Sequence, residues 1–157
     1  MIGLPKPNLH KELPAHARNY RYLVIDGPPR VNELARSAIL AADLIVIPVL
    51  PSPYDVWAAR EIIALIGEAE VFKGDLKTRF VINRKVTGTA IGRDVIRALA
   101  DYAPPVLAAQ VCQRVAFADS AAGGAAVFEN GGSKSHAARE IRALTDELLS
   151  LKEGESA

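Results

Sequence analysis

The sequence has little that could carry redox, metal or membrane chemistry. A single cysteine, Cys112, excludes an internal disulfide and a cysteine metal cluster, and it fits a reducing compartment. Three scattered histidines do not supply a ligand set. Charge of neither sign is in excess: 19 Lys and Arg against 18 Asp and Glu leave +1, so a polyanion could be met only by a local patch. No uninterrupted apolar run approaches the ~20 residues of a membrane span, and the start Met-Ile-Gly-Leu-Pro-Lys-Pro has no apolar leader core. These absences predict a soluble cytoplasmic protein with no membrane partner.

Core material is plentiful. Over 157 residues, 50% apolar and 24% charged is a globular balance, well away from disorder. We expect one domain over 1–157, with an ill-defined lead-in at 1–18 and a polar tail at 152–157. Four short runs are continuously apolar and β-branched, as strands buried on both faces are: Tyr22 to Ile25, Leu44 to Val49, Arg79 to Asn83 and Val106 to Val111. Between them apolar residues recur every three or four positions, from Val31 to Ala42, Val56 to Ile66 and Ile91 to Tyr102. A closing helix from about Lys134 to Leu151 carries the stripe Ile141, Leu144, Leu148 and Leu151. Near the start, Asn8 could cap a short helix, but Pro14 would interrupt it. Alternating strands and helices predict an α/β fold, a parallel sheet covered by helices on both faces.

Ligands of such sheets collect beyond the C-terminal strand ends. The first run ends in Asp26, Gly27, Pro28 and Pro29. A carboxylate there can hold a Mg²⁺-bound water, and Gly27 lets backbone approach phosphate closely. Alternatively, Asp-Gly-Pro is simply a turn that caps the next helix. Asn83, at the end of the third run, either reads a ligand edge or bonds its neighbouring backbone. Arg93 and Arg97 lie one turn apart, opposite Ile91, Val95 and Leu99, and suit either DNA phosphates or a solvated face. Tyr54, Trp57 and Phe117 read as core or interface packing, and Cys112 as a buried thiol.

Five segments in order resemble the ParA/MinD group of deviant P-loop ATPases: YRYLVIDGPP, AADLIVIPVLPSPYDVWAA, TRFVINRKV, VCQRVAFADSAAGGAAVFE and AAREIRALTDELL. The resemblance implies a three-layer P-loop NTPase-like fold. It makes Asp26 the Walker B-like carboxylate on the Mg²⁺ side, with Gly27 and Pro28 beside the phosphates. It puts Asn83 and Arg84 near adenine, and Arg93, Arg97 and Arg114 toward DNA or a dimer face, although Arg114 could equally pair locally. It also implies ATP and Mg²⁺ as cofactors of the full-length parent, a homodimer, nonspecific DNA and a centromere-binding ParB-type partner. The expected localisation is the cytoplasm, on the nucleoid.

One part of the pattern is missing. Nothing in the sequence reads Gly-x-x-x-x-Gly-Lys-Ser/Thr. Lys6 and Lys11 sit among prolines, Lys134 follows Gly131, Gly132 and Ser133 but lacks the preceding buried strand that a phosphate-binding loop with its Ser/Thr needs, and the Gly88 to Gly92 stretch is followed by arginine. We therefore expect a truncated domain without its first βαβ unit and central strand, which binds no ATP tightly. Two other readings stand beside this one. One is a non-catalytic module that modulates a full-length ATPase; the other is a P-loop enzyme of the dethiobiotin-synthetase-like or cobyrinic-acid-amidase-like kind.

Overall fold

The computed structural model describes residue 3 and residues 7–153 apart from 29, 75, 101, 102, 131 and 133; the side chains of 90–93, 100, 130, 152 and 153 are not described. Lys6, Pro29, Tyr102, Gly131 and Ser133, and the side chains of Ile91 and Arg93, therefore lie outside the described residues. Elements follow in the order α1 (Leu9–Ala17), α2 (Glu33–Ala41), β1 (Leu44–Val49), α3 (Pro53–Lys73), β2 (Lys77–Ile82), α4 (Ala90–Ala100), α5 (Val115–Ala122), α6 (Val127–Asn130) and α7 (His136–Glu153). The fold is α/β, and β1 and β2 pair in parallel: Asp43 O accepts from Lys77 N at 3.3 Å and Val49 O from Asn83 N at 2.8 Å. The chain divides into two compact units, Met1–Ile45 with Ala58–Thr78, and Val46–Trp57 with Arg79–Ala157.

In the first unit α1 packs on α2. Pro14 does not end α1 but lies inside it, at the loss of one helical amide donor. His10 then ties the two helices together, its Nδ1 lying 2.8 Å from the Oγ of the buried Ser37. Helix α2 starts where Asn32 Oδ1 accepts from Ala35 N at 2.9 Å, satisfying an amide that has no partner within the helix. Its last turn is closed by Lys73, whose ammonium donates to the carbonyls of Leu40 and Ala42. Asn32→Ala is expected to cost about 1 kcal/mol and Asn32→Ser almost nothing. Urea midpoints check this, and equal midpoints for the wild type and the alanine variant would remove the cap from the account.

The second unit is built on β2. Phe80 and Ile82 are fully buried, as the continuous apolar run requires. The run Val106 to Val111 is not a full strand. Phe80 N donates to Pro105 O and Leu107 N to Phe80 O, and the ladder resumes only where Val111 N donates to Ile82 O. Four residues of one segment thus pass two of the other, and parallel bridges survive only at Val106 and Cys112. The displaced amides of Ala108 and Ala109 donate to Glu147 Oε1 and Oε2 of α7, at 2.8 and 2.7 Å. Side-chain carboxylate replaces the missing ladder.

The run Tyr22 to Ile25 also departs from expectation: among the described residues it joins no ladder, and Val24 is 97% exposed. A parallel strand draws its backbone hydrogen bonds from neighbours on both sides, and no described strand flanks this run. Apolar pattern without a ladder partner does not make a strand.

Candidate functional site

The ends of β1 and β2 and the bridged segment after Val111 gather on one depression of about 270 Å³, lined by Leu50, Pro51, Arg84, Val86 and Gln113. Each wall has a local cause. After β1 the chain turns at Leu50–Ser52, where Ser52 N donates to Leu50 O at 2.7 Å. Ser52 then caps α3: its Oγ accepts from Tyr54 N at 3.2 Å, its carbonyl accepts from Val56 N, and Pro53 occupies the first helical position.

On β2 the chain leaves the sheet through Asn83. Its backbone N–H is the last rung to Val49, and its Oδ1 accepts from Arg84 N at 2.9 Å. Arg84 is held at φ 52°, in the left-handed region that costs a non-glycine residue energy and recurs at binding sites. Asn83 thus bonds the neighbouring backbone, and that bond turns Arg84 onto the depression. Behind it, Lys85 N donates to Val111 O, Gln113 N donates to Lys85 O, and the Lys85 ammonium donates to Gln110 Oε1 at 2.6 Å. These bonds fix Gln113 at the rim.

Arg114 is taken up locally. Its Nε and Nη2 donate to Glu140 Oε1 of α7 at 3.0 and 2.5 Å, while Glu140 Oε2 accepts from Cys112 N at 3.1 Å. Burial alone would raise the Glu140 carboxyl, but hydrogen bonds from Arg114 and from the backbone and thiol of Cys112 outweigh it and hold it below the usual carboxylate range. Burial first, and the Glu140 carboxylate second, push the Cys112 thiol up, which suits an inert thiol. Glu140 and Glu147 organise this strand end, and the sequence reading did not single them out. The available signal was their seven-residue spacing beside the apolar stripe of the closing helix.

The remaining candidates stand apart from the depression's lining. Asp26 and Gly27 are exposed and Pro28 half-buried, on the segment that joins no described ladder. Arg97 is exposed on α4. Tyr54 and Trp57 are not core residues: they are 76% and 57% exposed, edge to face with ring centroids 5.7 Å apart. Among the described residues no cluster of His, Cys, Asp and Glu could hold a metal ion, and no helix is long and apolar enough to cross a membrane.

The depression offers apolar walls, a planar guanidinium and an amide carrying both donor and acceptor, a set that fits a planar heteroaromatic ring. Among the described residues that line it, Arg84 is the one charged side chain and no lysine joins it, which is less than a triphosphate needs.

A family model described as an AAA domain matches residues 3–80. "Maintenance of carboxysome distribution protein A" from Halothiobacillus neapolitanus is 30% identical over 132 residues, 83% of this chain. The chain belongs to the ParA/MinD-type P-loop family. It spans 61% of the length of that curated relative. The family match ends at residue 80, before Asn83.

Proposed function

We propose that the protein works as a ParA-type positioning ATPase in its full-length form, and that this chain carries the base-side face of the nucleotide site. The observation behind this reading is the depression at the C-terminal ends of parallel strands, where α/β sheets take ligands, with Arg84 turned onto it in a left-handed backbone. In this reading Arg84 stacks on adenine, Gln113 meets the base edge, and Asn83 positions Arg84. Asp26 would face Mg²⁺ only once a phosphate-binding unit is present. The cargo is a centromere complex held through a ParB-type partner, or a protein body of the kind named for the carboxysome-distribution relative, moved over nucleoid DNA. This chain alone does not hydrolyse ATP, because phosphoryl transfer depends on preorganised donors around the phosphates.

Adenosine titrated to millimolar concentration is expected to shift the NMR resonances of Leu50, Val86 and Gln113, and Gln113→Ala is expected to abolish most of the response. Shifts confined to other residues, or an unaltered response in the variant, would remove the base from this depression.

A second reading, a non-catalytic module acting on a full-length ATPase, is favoured by the exposed Tyr54–Trp57 pair on the first turn of α3. Enzyme assays separate the two. A module changes the turnover of a full-length ParA-type ATPase at equimolar ratio and loses that effect in Trp57→Ser, whereas an isolated base-side fragment changes nothing.

A further inference from the structure

The side chains around the depression can donate far more than they can accept. Leu50, Pro51 and Val86 carry no polar side-chain atom and the Arg84 guanidinium only donates, so among the lining side chains Gln113 alone can accept. Asn83, which the family resemblance puts near the base, does not add an acceptor. Its Oδ1 is spent on Arg84 N at 2.9 Å. Because that partner is a backbone N–H, the atom facing it is the oxygen, and only the N–H donors of the carboxamide remain. Gln113 differs. Its backbone N–H is fixed by Lys85 O at 2.9 Å, but its side chain is exposed and makes no hydrogen bond or ion pair among the described residues. Its carboxamide can turn over without breaking a contact.

We infer that the depression takes adenine and 6-oxopurines alike, with Gln113 reading either edge by turning its amide over. The inference rests on the base-side reading proposed above. Adenine presents a 6-amino donor beside ring-nitrogen acceptors, whereas hypoxanthine and guanine present a 6-oxygen acceptor beside an N1–H donor. A primary amide carries both an acceptor and donors, so one orientation of Gln113 pairs with the first edge and the opposite orientation with the second. Strong discrimination needs a group held in one orientation, because only then does the wrong base leave a polar atom without a partner. An acceptor fixed at Asn83 would have selected the 6-amino group, and that oxygen is committed to the backbone. At Gln113 the wrong edge costs only the rotation of an exposed side chain. Arg84 adds no selection, since a guanidinium stacks on either ring.

NMR titration of the full chain with adenosine and with inosine, which differ only at the edge in question, tests the inference through the Leu50 and Val86 resonances. The two nucleosides are expected to bind within about fivefold of each other. Gln113→Glu leaves acceptors only and should move the preference toward adenosine by about tenfold, and Gln113→Lys leaves donors only and should move it toward inosine by a similar factor. The bond that holds residue 113 to Lys85 is made by the backbone, so neither substitution removes it. A wild type that prefers one nucleoside by more than about fivefold overturns the inference and leaves the base-side reading standing. So do variants that leave the preference unmoved. Leu50 and Val86 resonances that respond to neither nucleoside would remove the base from the depression, and the inference with it.

Discussion

Replacing Glu140 by alanine is expected to lower the unfolding free energy by about 2–3 kcal/mol and to release the strand end that carries Gln113. One carboxylate accepts from Arg114 Nε and Nη2 and from Cys112 N, and its side chain is only 17% exposed. Its loss leaves a partly buried guanidinium and a backbone donor without their acceptor. The cost stays below that of a fully buried pair because Arg114 reaches water and is rehydrated.

The sign with pH follows from the carboxyl's depressed value. A group held more acidic in the folded state than in the unfolded state stabilises the fold fully above its unfolded value, and that stabilisation disappears as pH falls through the folded value. The gap in urea midpoint between wild type and Glu140→Gln should therefore be constant near neutrality and narrow in acid, below the ordinary carboxylate range. A gap that stays constant to about pH 3 would show that Glu140 acts through packing rather than through its charge. Glu147→Ala is the natural comparison. It frees the amides of Ala108 and Ala109, but Ala108 is exposed and water can replace the carboxylate, so the loss should be nearer 1 kcal/mol.

How far the sequence predicted the fold depended on how local the cause was. Leu44 to Val49 is read at its true limits because a β-branched run between Asp43 and a proline-rich turn leaves few alternatives. The stretch from Val31 to Ala42 contains α2, and the helix starts at Glu33 because Asn32 caps it. The two strands that failed share a non-local cause. Tyr22 to Ile25 has the right side chains, but nothing in its own sequence shows whether another strand lies beside it. Val106 to Val111 has the right side chains too, yet its central amides are claimed by Glu147, nearly forty positions later.

The site was legible to a similar degree. Asn83 was singled out from its place at a strand end and Arg84 through the family resemblance, and the structure sets Arg84 on the depression and Asn83 behind it. Gln113 was not singled out, because its part depends on a bond to Lys85 that no periodicity reveals. Arg114, considered for DNA or a dimer face, is committed to Glu140.

The second large effect concerns nucleotide, and it bears on the central claim that this chain holds a base-side face without a phosphate side. A phosphate-binding loop supplies several N–H donors and a lysine, whereas Asp26 is an anion that can act only through Mg²⁺. A base-edge hydrogen bond contributes a net of about 1 kcal/mol, which does not offset the loss of association entropy. Mg-ATP should therefore bind no tighter than about millimolar, and the triphosphate should add nothing to adenosine. A longer ParA-type chain with a glycine-rich loop should regain micromolar affinity. Isothermal calorimetry with Mg-ATP and adenosine on this chain is the direct measurement. Equal and weak binding of the two is the predicted result, and micromolar Mg-ATP binding with adenosine far weaker would contradict the account, because a phosphate cradle would then exist in the chain.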